Sequence, residues 1–558
     1  MSVKGIRARL AADPQVGAGN VLPTLMRLDM GVDVPMLTFD TEIDGHPAWE
    51  PLTIRELDTV VRARASALHE LGVRPHDPVA VYAGAAADHV LNFLALARLG
   101  AIPALLNPNV DGERAARYIS KLNAVGFLAD ARRRELLAGQ DIGTRQLADV
   151  AVLGDGDPAA APEPYRHWEG DPVAITHSSG TTGMPKAVVH SHASLYAAIR
   201  YRLALPRPQG SDRMLSALPL PHAATLIAIN LALSAHAEIL LLSRQNGGEV
   251  LDAIEQWRPR GVFGFAATWA DLARHDLAKR DLSSVALWWN TGDCAHEAHI
   301  RRLIAHGSRQ VARRPSDLRA AGGKAGAPEA GSDRPVETGS VFVDGLGSTE
   351  MGHSHFFITH TPDTERYGRC VGRPHEFVDC AVFGPDGQEL PVGEVGELGT
   401  KSPTLALGYW NDSATTYRTR LRGYFLTGDL MFRDAEGYYY HMDRLVDSVD
   451  LGDGHRLYTA MSEERVLAAC PDVLDCTVVA LRDGENGPVI TDVLLQLDPA
   501  AERERDRREQ IAAALDPRVA ATLRRIVVVD DADIPLGPTG KVRKVALRER
   551  HRDEQAAP

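Results

Sequence analysis

Cysteine is scarce in this chain: Cys294, Cys370, Cys380, Cys470 and Cys476 are the only five among 558 residues. Their number is odd and none sits in a C-x-x-C pair, so no thiolate zinc site or redox dithiol is expected, and a reducing cytoplasm is the simple setting. An excess of positive charge is also missing. Lys and Arg total 61 against 74 Asp and Glu, a net charge of −13. That balance argues against general binding to nucleic acid or anionic membranes. Long apolar runs are absent too. The most apolar stretch, LIAINLALSAHAEILLL (226–242), is broken by Asn230, His236 and Glu238. It falls short of the roughly 20 uninterrupted residues that a membrane span needs, and reads as a buried helix feeding a short strand. The opening segment MSVKGIRARLAADPQV has no apolar core, so no signal peptide is expected.

What is present is ordinary for a globular chain with a large core: 44% hydrophobic and 24% charged residues. The length calls for several domains or subdomains. TIRELDTVVRARASALHELGV (53–73) has helical apolar spacing and stops at Gly72, with Pro75 beyond. PVAVYA (78–83) reads as a strand, DHVLNFLALARLGA (88–101) as a helix, and AIPALLN as the next strand. This alternation predicts an α/β fold, a mostly parallel sheet covered by helices. Residues 308–338 are rich in Arg, Gly, Ala and Pro and read as an exposed flexible insertion. Beyond residue 443, the strands DCTVVAL, TDVLLQL and RIVVVD and a charged helix over 501–515 predict a compact α+β unit.

The chemistry concentrates in ITHSSGTTGMPKAVVHSH, residues 175–192. A strand-like entry runs into glycines that let the backbone approach phosphate oxygens, with Ser and Thr hydroxyls as donors. Lys186 closes the segment with a charge suited to a triphosphate. The glycine spacing is not that of the G-x-x-x-x-G-K-[ST] loop.

Here the chain resembles the adenylate-forming superfamily of acyl-CoA synthetases, aryl-acid ligases, peptide-synthetase adenylation domains and luciferases. SSGTTGMPK (178–186) matches its phosphate-loop signature, GLGSTEMG (345–352) its G-x-T-E segment, and GELGTKSPTLALGYWND (396–412) its G-E…GY segment. YFLTGDL (424–430) carries the TGD, MDR (442–444) approximates the G-R, and PLGPTGKVRK (535–544) matches the P-x-x-x-x-G-K. The resemblance implies a large N-terminal AMP-binding domain (1–442) and a small mobile C-terminal lid (443–558). It implies ATP and Mg²⁺ as cofactors, and an adenylate formed with release of pyrophosphate. Ser178, Ser179, Gly180, Thr181, Thr182, Gly183 and Lys186 would then cradle the β- and γ-phosphates. Thr349 would touch the α-phosphate, Glu350 would hold Mg²⁺, and Asp429 would accept the ribose hydroxyls with Arg444 beside it. Gly292 and Asp293 match the adenine-contacting segment loosely, and Lys541 would reach in from the lid to the transition state. His222 falls beside the acyl pocket, as either a wall or a catalytic residue. His353, His355 and His360 follow the Mg²⁺ glutamate and are read as pocket lining, with a metal site the lesser reading.

The chain departs from the family pattern at the hinge. Val446 stands where Asp or Lys is usual, and an extra residue falls near Asp453 and Gly454. In the family, the segment after the hinge serves thiol transfer, so the second step is the one that these changes bear on. Three outcomes stay open in the sequence. The first activates a small aromatic or apolar acid and passes it to CoA or to the phosphopantetheine thiol of an acyl carrier protein. The second adenylates nitrite and transfers it to an aryl amine, as nitrite-activating relatives do. The third is a non-catalytic ATP-binding module.

Overall fold

The computed structural model describes residues 3–178, 185–310, 335–482, 487–537 and 540–556. Its largest sheet has a parallel half and an antiparallel half. Strands Pro35–Phe39, Glu238–Leu241, Arg213–Ser216, Gly261–Gly264, Leu287–Asn290 and Val341–Asp344 lie side by side in that order, all parallel. From Phe356–His360 onward the sheet continues antiparallel through Cys370–Pro374, Tyr439–Arg444, Tyr424–Arg433, Gly396–Lys401 and Asp379–Phe383. The expected helix-covered α/β architecture is present, with parallel pairing predominant up to Asp344 and antiparallel pairing beyond it. There, no crossover helix links consecutive strands such as Tyr424–Arg433 and Tyr439–Arg444, which pair antiparallel.

A second sheet carries Pro78–Tyr82 at its centre, with Ile102–Leu105, Pro172–Ser178 and Gly126–Ala129 parallel around it. Two helices fill the space between the sheets, Ala86–Arg98 and Ala223–Ala235. Eleven of the 13 residues of the latter are buried, which explains its apolar character on every face. No described helix is long and apolar enough to cross a membrane. The helix Ile54–Glu70 starts where the sequence places it: Thr53 caps it in a reciprocal box with Glu56.

The strand Tyr439–Arg444 belongs to the large sheet. After it, Val473–Arg482, Val489–Leu497 and Leu523–Val528 form a separate three-stranded sheet with its own core around Leu457, Val466, Val478 and Val493. Only Arg508–Ala514 of the charged 501–515 segment is helical. The preceding residues offer no apolar face. Arg507 instead turns back, donating to the Glu502 carbonyl at 2.8 Å and pairing with Asp472 at 2.6 Å. The insertion also differs from expectation at its ends. Ser308–Gln310 and Val336–Thr338 are paired antiparallel strands, while 311–334 lie outside the described residues.

The C-terminal unit docks on the helix Glu297–Ile304. Glu464 accepts from the Glu297 backbone N–H at 3.1 Å and pairs with His296 Nδ1 at 2.6 Å, a carboxylate set at a helix N-terminus. His299 Nε2 donates to the Leu474 carbonyl at 2.8 Å, and Arg274 pairs with Asp475 and Asp531.

Candidate active site

Four adjacent parallel strands deliver the site at their carboxyl ends. Arg213–Ser216 runs on to His222, Gly261–Gly264 to Phe265, Leu287–Asn290 to Gly292 and Asp293, and Val341–Asp344 to Thr349 and Glu350. The crevice beyond such strand ends is where open α/β sheets take ligands.

His222 caps the helix Ala223–Ala235, its Nδ1 accepting the Ala224 N–H at 3.1 Å. Burial, helped by the Lys541 charge, pushes its pKa down to about 3, so the ring is neutral. With Nδ1 accepting, the proton sits on Nε2 and is donated to Thr349 Oγ1 at 3.1 Å, across 127 residues of sequence. The Thr349 hydroxyl is thereby left to donate its own proton outward. Phe265 meets the His222 ring edge-on, with centroids 4.8 Å apart.

Glu350 is oriented by Tyr409, whose hydroxyl donates to Oε1 at 3.0 Å. Its Oε2 has no partner among the described residues, leaving one hard oxygen toward the crevice. That donor fits Mg²⁺, which takes one or two carboxylates plus phosphate oxygens. Lys186 lies 5.2 Å above the same Tyr409 ring. Ser178 and Lys186 are register partners at the ends of two antiparallel strands. Ser179, Gly180, Thr181, Thr182 and Gly183, which join them, lie outside the described residues.

Asp429 and Arg444 face each other across neighbouring strands, with Nε 3.3 Å from Oδ1. Burial pushes the Asp429 carboxyl up. The Arg444 charge and His441, 3.4 Å away, outweigh that and hold it below the ordinary range.

Lys541 reaches the site from the C-terminal unit, its Nζ 3.2 Å from Asp293 Oδ2. A tight turn presents it: the Gly537 N–H donates to the Lys541 carbonyl at 2.7 Å, and Gly540 has φ +79°. Burial favours the neutral acid at Asp293, yet Lys541, His441 and Arg369 drive its pKa far below the ordinary range. Asp293, matched in sequence to adenine contact, is thus the counter-ion of Lys541. Gly292 has φ +95°, and a Cβ there would come within 3.2 Å of the Phe265 ring.

Behind these groups lies a cavity walled by Leu218, Ile227, Leu231, Phe263 and Trp289 together with His222, Gly292 and Ser348. The three histidines after Glu350 do not act together. His353 lines this cavity. His355 is buried, its Nε2 against the Met351 carbonyl and the Thr404 hydroxyl. His360 is buried and stacks on Tyr367. The pocket-lining expectation therefore stands corrected for His355 and His360. His360 ends the strand Phe356–His360, whereas His355 precedes it and is held by Met351 and Thr404. No metal-ligating cluster of His, Cys, Asp and Glu occurs among the described residues. Sequence reasoning missed Arg202, Phe265 and Trp289, whose roles arise only from packing.

Comparison with known proteins agrees with this geometry. A model of the AMP-binding enzyme family matches residues 33–410. A 3-aminoavenalumate diazotase from a Streptomyces species is 41% identical across 98% of this chain and 98% of its own. A feruloyl-CoA synthase from an Amycolatopsis species is 27% identical over 89% of this chain and 94% of its own. Among solved structures, an anthranilate CoA ligase in complex with anthranoyl-AMP superposes with a TM-score of 0.80 at 21% identity, covering 98% of this chain and 99% of that one. The chain belongs to the AMP-binding enzyme family and is an ATP-dependent, AMP-forming ligase.

Proposed function

We propose that this enzyme adenylates nitrite and transfers the nitrosyl group to an aryl amine, making a diazonium or diazo product. The observation that carries the reading is the 41% identity, end to end, with a diazotase, against 27% with a CoA synthase. In this reading residues 1–442 bind nucleotide and amine, and residues 443–558 act as the lid.

Nitrite oxygen attacks the α-phosphorus of ATP and pyrophosphate leaves, giving a mixed nitrous–adenylic anhydride. Two anions must meet for this, so charge neutralisation and alignment supply most of the catalysis. Lys541 binds the oxygens between nitrogen and α-phosphorus. Thr349 donates to an α-phosphate oxygen, fixed for that task by the neutral Nε2–H of His222. Asp429 accepts the ribose hydroxyls, and Lys186 with Ser178–Gly183 meets the β- and γ-phosphates. Glu350 would hold Mg²⁺, which when bound would supply further neutralisation of the triphosphate. The amine nitrogen then attacks the nitrosyl nitrogen and AMP leaves with the N–O bond electrons. The N-nitrosamine tautomerises and loses water on protonation to give the diazonium ion, with no external oxidant or reductant.

Pyrophosphate release with ATP, Mg²⁺ and nitrite, with and without 3-aminobenzoate, tests this reading, with azo coupling to trap the diazonium. Nitrite-dependent release and a trapped azo dye support it. Release driven by an aryl acid alone, with a thioester formed on CoA or on a carrier-protein thiol, would overturn it in favour of acid–thiol ligation.

A further inference from the structure

One charged group in the cavity has no place in the adenylation chemistry. Arg202 sits in the last turn of the helix Ser194–Ala204, with its guanidinium 4.6 Å from the Trp289 ring centre. Burial pushes its pKa down to about 10, which leaves it a cation at neutral pH. No carboxylate pairs with it among the described residues, and the only group raising its pKa is the neutral phenol of Tyr201. Its one hydrogen bond runs from Nε to His353 Nε2 at 3.3 Å. His353 is built to accept it. Burial holds that ring neutral, and Nδ1–H donates to the Ser354 carbonyl at 2.7 Å, so the Nε2 lone pair is free. The Nε side of the fork is thereby fixed, while neither Nη group hydrogen-bonds to a described residue.

A buried guanidinium without a counter-ion is costly, and the two neighbouring arginines show how the fold avoids that cost elsewhere. Arg7 donates to the Arg202 and Leu205 carbonyls, and Arg207 to those of Ala235 and His236, so each caps a helix C-terminus. Arg202 has no such occupation. Its location says what it faces. Arg202, Phe263 and Trp289 wall both the active-site cavity and a second, adjoining cavity, whereas His222, Gly292 and Ser348 wall only the first. Arg202 thus stands on the wall that the two cavities share, and His222 does not. Arg7 and Arg207 line the chamber beyond and add positive potential without adding an acid.

We propose that Arg202, braced by His353 and Trp289, anchors a carboxylate at the far end of the amine substrate, so that the enzyme selects aryl amines bearing an acid group over simple aryl amines. This rests on the nitrite-activating reading above. A guanidinium fork with two free Nη groups fits a carboxylate end-on through paired hydrogen bonds. The aromatic ring then lies between Phe263 and Trp289, and the amine faces the adenylate.

The test uses 3-aminobenzoate and 3-aminocinnamate against their methyl esters. Binding to the wild-type enzyme is titrated calorimetrically with AMP present and without nitrite. At least one acid is expected to bind roughly 10- to 100-fold more tightly than its ester, the range for one charge-assisted pair. Arg202→Met should erase that preference, and Arg202→Lys should retain part of it. Equal binding of acid and ester by the wild type, or a preference that survives Arg202→Met, overturns the anchor. The wild-type comparison needs no variant to fold. Nitrite-dependent pyrophosphate release is measured in parallel. If it is absent while the acid preference is present, the nitrite reading fails and the anchor stands.

Discussion

Replacing Lys541 by Met tests the proposal that this side chain, 3.2 Å from Asp293, supplies charge to the reacting atoms. The structure sets what this should cost. A single donor aimed at charge developing in a transition state is worth about 2.7–4 kcal/mol, or roughly 10²–10³ in rate. Lys541 carries a full charge, which favours the upper end. Against that, its side chain is 40% exposed, and it must loosen a 3.2 Å contact with Asp293 as it engages the substrate. The expected loss in kcat for pyrophosphate release is therefore roughly 10²–10³. The KM for ATP should move less than about threefold, because the interaction strengthens only in the transition state. The assay is coupled pyrophosphate detection with saturating ATP, Mg²⁺ and nitrite. Thermal melting of the same samples checks that the fold is intact. A loss below about tenfold, or one confined to KM, would refute the assignment of Lys541 to the transition state.

Asp429→Asn should raise the KM for ATP roughly 10- to 100-fold with kcat nearly unchanged, since a charged acceptor for the ribose hydroxyls becomes neutral; initial-rate kinetics decide it. His222→Asn keeps a side chain able to cap the helix but loses the bond to Thr349, so kcat should fall about tenfold. Because burial holds His222 neutral down to about pH 3, its protonation contributes no inflection to the adenylation rate between pH 5 and 8. A wild-type step near pH 6.5 that vanishes in the variant would count against this. Glu350→Gln should raise the Mg²⁺ concentration for half-maximal rate about tenfold, read by titrating the metal at fixed ATP. Arg64 is 2% exposed and pairs with Asp44 at 3.0 Å and Asp88 at 3.4 Å. Arg64→Met strands two carboxylates and should cost about 3–5 kcal/mol, visible as a lowered first melting transition.

The family was legible in the sequence because each of its signatures is a short contiguous segment. A strand-to-turn passage such as GLGSTEMG needs its own residues to make its own backbone shape, so the chemistry is written locally. What the sequence withheld is what depends on juxtaposition. Asp293 reads as an adenine contact until Lys541 arrives beside it from the C-terminal unit. Nothing in the sequence singles out Arg202, a basic residue in the last turn of a helix. Only the packing of Trp289 and His353 around it gives it a role. The histidines fail in the opposite sense: three close in sequence invite a common function, yet His355 packs on Thr404 and His360 on Tyr367. The antiparallel half of the large sheet went unread for a similar reason. Alternating apolar residues mark a strand but do not give the direction of its neighbour.

The anchor and the adenylation groups together settle a problem of orientation that neither solves alone. A site that activates oxyanions cannot distinguish nitrite from a carboxylate by the chemistry of Lys541, Thr349 and Asp429, since both anions present an oxygen to the α-phosphorus. An amino-aryl acid carries such a carboxylate itself. Entering carboxylate first, it would be adenylated as an acid and its amine would point away from the reaction. A fixed cation on the wall shared with the second cavity opposes that entry. It draws the carboxylate toward Arg202 and leaves the neutral amine facing the nucleotide. Each charge-assisted bond of this kind is worth about 1.5–3 kcal/mol, so the preference for the amine-forward pose reaches roughly 10- to 150-fold. On this reasoning one arginine outside the reaction decides which of two reactions a common adenylation site performs.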